Sequence, residues 1–99
     1  SLRILDMPET INPQEQIMQV TIDVSMYPFN KEFKAPIKDF ISKINLHKDL
    51  KIRTFPTSTV IQGEYEEAME ALKDTISCCN DRPEKAVYVL KVIPDYEAI

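Results

Sequence analysis

The chain has 99 residues, 43% of them hydrophobic and 28% charged, with a formal net charge of −4, the size and make-up of one ordinary globular domain. This acidic balance argues against nucleic acid as a main partner, because phosphate contacts need clustered Lys and Arg. No run of about 18 apolar residues is present to span a bilayer and no secretory leader pattern opens the chain, so no membrane partner and a cytoplasmic location are expected.

Residues 1–16 carry three acids and two prolines with little periodicity and read as an N-terminal arm. Residues 17–99 read as the folded domain. Its first strand is predicted from Ile17 to Tyr27, where Val20, Ile22, Val24 and Met26 alternate with Thr21, Asp23, Ser25 and Tyr27. Strict alternation marks a half-buried strand with one apolar face. A loop follows over Pro28 to Lys34. Phe33, Ile37, Phe40, Ile41 and Ile44 then fall on one helical stripe, with Pro36 suited to the first turn and the helix ending near Asn45 to His47.

Leu50 to Phe55 alternates again, and Pro56, which has no N–H for a ladder, points to an edge or a bulge there. Val60 to Gln62 reads as a third strand closed by Gly63, the only glycine in the chain. A glycine-rich phosphate loop is therefore excluded. Tyr65, Ala68, Met69, Leu72, Ile76 and Cys79 form a second helical stripe, with Glu66 and Glu67 placed at the positive end of its dipole. Asn80 to Glu84 is a turn, and the β-branched run Ala86 to Ile93 is a strand ended by Pro94.

This order, strand-helix-strand-strand-helix-strand, predicts an α+β ferredoxin-like sandwich: a four-stranded antiparallel sheet with both helices on one face. Thr21, Asp23, Ser25 and Tyr27 are then left on the open face. A mid-strand carboxylate is disfavoured by propensity, so Asp23 is either solvated or an acceptor for a bound cation or donor. Thr57, Ser58 and Thr59 form a turn, or a polar rim beside that face. Tyr27, Phe55 and Tyr88 are packing residues, or rings that stack on a heterocycle.

His47 is the only histidine, too few for a zinc site. Cys78 and Cys79 are adjacent, which does not suit a disulfide, and they read as reduced thiols near a helix end. No nucleophile–base spacing or cofactor signature is evident. Binding, not catalysis, is expected, without a cofactor or metal.

Two segments carry a resemblance to a known family. The stretch Met18-Gln-Val-Thr-Ile-Asp-Val-Ser-Met-Tyr-Pro-Phe, followed by Pro36-Ile-Lys-Asp-Phe-Ile, is similar to the YkoF-related proteins and the wider thiamine-binding-protein-like group. So is Thr57-Ser-Thr-Val-Ile-Gln-Gly-Glu-Tyr. The resemblance covers residues 18 to 93. It implies a ferredoxin-like fold that binds thiamine or its hydroxymethylpyrimidine precursor, and assembly of two domains through their sheets. YkoF carries two domains in tandem, so this single domain would self-associate as a homodimer or homotetramer. Asp23, Ser25, Thr57, Ser58 and Thr59 are then expected to hold the ligand, with Tyr27 or Tyr88 stacking on it. Two alternatives stand beside this. One is a structural or regulatory oligomer with no small ligand. The other is an acylphosphatase-like hydrolase using Arg53, which the glycine-free loop after the first strand disfavours.

Overall fold

The computed structural model describes residues 17–99; the arm predicted for residues 1–16 lies outside the described residues. The elements are β1 (Gln19–Pro28), α1 (Lys34–Ile44), β2 (Lys51–Thr54), β3 (Thr59–Glu64), α2 (Tyr65–Cys79) and β4 (Ala86–Pro94). The four strands form one sheet in the order β2-β3-β1-β4, with every pairing antiparallel. The ferredoxin-like architecture is thus as the hydrophobic pattern predicts.

Local chemistry fixes the helix ends. The Glu64 carboxylate accepts the Glu67 N–H at 2.9 Å, and Glu66 and Glu67 occupy the first turn of α2, where they favour the dipole's positive end. No side chain caps the start of α1, but Pro36 lies in its first turn, where an amide N–H would have no helical partner. At its other end Asn45 Nδ2 donates to Ile41 O at 2.7 Å.

Both helices lie on one side of the sheet. Val20, Ile22, Val24 and Ile61 face them and pack with Phe40, Ile44, Ala68, Ala71 and Leu72 in the core. Asp39 ties the helical layer together. Burial works to raise its pKa, but a hydrogen bond and ion pair from Lys43 at 3.2 Å and the nearby Arg82 at 3.6 Å prevail and hold it below its ordinary value.

Gly63 sits inside β3, opposite Val20, and has no positive φ. The sequence reading placed it as a strand terminator. It leaves room for a close neighbour: a Cβ there would run into the far end of the Leu50 side chain, which would have to turn aside. Among the described residues the left-handed backbone position is Asp95, at φ 57°. It turns the chain out of β4 and back over the sheet.

Candidate functional site

The register of β1 decides what each candidate residue faces. Asp23 lies opposite Val60 on β3 and Lys91 on β4, Ser25 opposite Val89, and Tyr27 opposite Val87. These residues point away from the helices, as the alternation requires. Tyr88 does not join them. It pairs with Met26 on the helix side, where its ring meets Phe40 at 5.7 Å and 44°. Half-buried, it packs against the core, and burial raises its pKa. A one-residue offset between β1 and β4 sets this, and a single sequence does not reveal register.

Thr59 also faces the helices, since it pairs with Val24 and Thr54. Thr57 and Ser58 lie in the β2–β3 turn, which the Phe55 N–H closes by donating to Ser58 O at 2.8 Å. Ser25 Oγ reaches the same turn from the open face and donates to Thr57 O at 3.2 Å.

At this end of the sheet a cleft of about 480 Å³ opens between α1 and the β2–β3 turn. Its size is that of small-ligand sites, which fall at roughly 300–1,000 Å³. Tyr27, Thr57, Ser58 and Thr59 line it; Asp23, Ser25 and Tyr88 do not. The rest of the wall includes Phe33, Phe40, Phe55 and Thr54, and every lining side chain among the described residues is uncharged. Phe33 and Phe55 stand at the lip with half or nearly half of their surface in water, so their ring faces are within reach of a ligand. On the floor, Thr54 Oγ1 and Thr59 Oγ1 lie 3.3 Å apart. That is long for a hydroxyl pair, whose usual separation is about 2.7–2.8 Å, so both oxygens retain capacity for a further partner. The sequence reading set Phe33 on the core stripe and left Thr54 out of the site. Only the approach of α1 to the β2–β3 turn joins them, and that contact leaves no sequence signal.

Asp23 is half-buried, and its Oδ1 is hidden from water with no hydrogen-bond partner among the described residues. Thr21 is 2% exposed although it lies on the open face. The cover is the segment after Asp95, discussed below. No group of three or more potential metal ligands occurs among the described residues. None of their helices is long and apolar enough to cross a membrane.

No known protein-family model and no curated protein matches the chain. Solved structures do. An uncharacterised protein of Methanocaldococcus jannascii is 26% identical with a TM-score of 0.67, over 76% of this chain and 78% of that one. A Thermotoga maritima protein, named as a candidate for thiamine biosynthesis or salvage, is 26% identical with a TM-score of 0.62, over 81% and 85%. A domain of unknown function, DUF77, from Bacillus cereus shares the fold, with a TM-score of 0.67 at 18% identity over 78% and 76%.

Proposed function

We propose that the protein is a non-enzymatic binder of a neutral pyrimidine of the hydroxymethylpyrimidine type, held in the cleft between α1 and the β2–β3 turn. The observation that carries this is the cleft's lining, which among the described residues consists of aromatic rings, aliphatic side chains and hydroxyls with no charged group. Rings at the lip stack on a flat heterocycle, and hydroxyls act as both donors and acceptors toward ring nitrogens and an exocyclic amine. The name of the Thermotoga maritima protein and the resemblance to YkoF-related proteins support the same ligand class.

The lining also separates two ligands that the resemblance leaves together. Intact thiamine adds a permanent cation, and among the described residues the wall offers no carboxylate to receive it. The neutral precursor needs none. Calorimetric titration with hydroxymethylpyrimidine and with thiamine tests this. We expect one site per chain, with the precursor bound at least tenfold more tightly; no heat at millimolar precursor refutes the proposal.

A second reading, self-association, rests on β4. It is an edge strand, and Val87, Val89 and Ile93 on one face and Leu90 and Val92 on the other are all 38–45% exposed. An apolar edge of this length invites pairing. We propose a homodimer or homotetramer formed through β4, in a reducing cytoplasm that suits the free Cys78 and Cys79. Light scattering at micromolar concentration checks the assembly; a monomer contradicts it.

A further inference from the structure

The open face holds a second set of contacts, made by residues that do not line the cleft. After the Asp95 turn the chain crosses the sheet from β4 over β1 to β3. The Asp95 N–H donates to Gln19 O at 2.7 Å. The Thr21 hydroxyl donates to Tyr96 O at 2.6 Å and accepts the Ala98 N–H at 3.2 Å. Gln62 then closes a two-way pair with Ile99: its Nε2 donates to Ile99 O at 2.8 Å, and its Oε1 accepts the Ile99 N–H at 2.7 Å.

Thr21 and Gln62 are register partners across β1 and β3, and they are 2% and 3% exposed. Polar side chains on the uncovered face of a sheet are normally wet. These two are dry because the segment lies on them. Their contacts go to backbone N–H and C=O groups, while Tyr96 and Glu97 leave their side chains in water. The pair therefore reads a peptide backbone and not a particular sequence.

We infer that Thr21 and Gln62 form a peptide-backbone docking site on the open face, and that its resident occupant is the chain's own segment Tyr96–Ile99, a strap held in place through the Asp95 turn. The site goes beyond the pyrimidine reading and shares no residue with the cleft. It takes an extended segment with free N–H groups at the positions of Ala98 and Ile99. When the strap lifts, the site opens, and the same segment of a second copy fits it equally.

The hinge supplies a test that leaves the docking residues intact. Asp95→Pro removes the N–H given to Gln19 and forbids a positive φ, so it frees the strap. The probe is a fluorescent, amide-capped peptide of residues 94–99. A tethered segment competes at an effective concentration in the millimolar range, so the wild-type chain is expected to exclude the peptide. We expect binding to Asp95→Pro at least tenfold tighter than to wild type, and a tenfold loss on adding Gln62→Leu. Equal binding to both chains, or no binding to either, overturns the inference. If Asp95→Pro does not fold, Ala98→Pro removes a different strap N–H and serves in its place. Independently, the Gln62 side-chain amide protons of the wild-type chain should exchange slowly with solvent; rapid exchange overturns the strap without any variant.

Discussion

Thr59→Val separates the cleft's binding role from its structural one. Valine keeps the shape of threonine and replaces the hydroxyl by a methyl. Among the described residues the hydroxyl lost has one partner, Thr54 Oγ1, at the long distance of 3.3 Å. Thr54 is exposed, so its own hydroxyl can turn to water and no buried orphan remains. The cost to folding therefore falls at the low end for a hydrogen bond, about 0.5 kcal/mol. For a domain of this size that corresponds to roughly 2–4 °C in the melting temperature, and the added apolar burial offsets part of it. Ligand binding is affected differently. Thr59 is 5% exposed on the cleft floor, and a heterocycle bonded to it there loses a hydrogen bond in a dry site, about 1–2 kcal/mol, or roughly 5–30-fold in affinity. Differential scanning calorimetry and isothermal titration with hydroxymethylpyrimidine read both quantities on one sample. A normal melt with unchanged affinity refutes the placement of the ligand on this floor. A melt lowered by 10 °C or more refutes the view that the hydroxyl is structurally spare.

Other perturbations have equally definite outcomes. Phe40→Ala removes a 2%-exposed ring that also contacts Tyr88; we expect a loss of about 3–5 kcal/mol in urea unfolding, and a loss below 1 kcal/mol contradicts the core assignment. Asp23→Asn neutralises a carboxylate with one hidden oxygen that has no partner among the described residues, so stability should rise by about 1 kcal/mol; a fall would reveal a compensating partner. Burial, reinforced by the Asp39 charge, raises the Cys79 pKa above 9.0. The folded state then binds the proton more tightly than the unfolded one, so stability is intact below pH 9 and falls as pH rises beyond it. Urea melts across pH 7–10.5 should show that decline flattened in Cys79→Ala; an identical slope contradicts the account. Gly63→Ala displaces only the flexible end of Leu50 while restricting the unfolded chain, so the net change should stay within about 1 kcal/mol, and a larger loss shows that the backbone has to shift.

Periodicity carried most of the fold. The β1 alternation and the two helical stripes named nearly the whole core, because burial on one face imposes a period of 2 or 3.6. The site was less legible. Tyr27 and the Thr57–Thr59 run were read as site candidates and do meet in one cleft, although Thr59 reaches it from the helix side. Asp23, Ser25 and Tyr88 belong to the same expected set and lie outside the cleft, Asp23 and Ser25 further along the open face than Tyr27, and Tyr88 on the helix side through a register no single sequence reveals. The strap was wholly hidden. Asp-Tyr-Glu-Ala-Ile after Pro94 has no pattern of its own, and its hydrogen bonds to Gln19, Thr21 and Gln62 give it a place.

The central claim is that a neutral pyrimidine enters the cleft beside α1. Backbone amide shift mapping with hydroxymethylpyrimidine tests it most directly. Saturable shifts confined to Phe33, Phe55, Ser58, Thr59 and their neighbours are the expected result. Shifts centred on Asp23 and Lys91, or none at millimolar ligand, would contradict it.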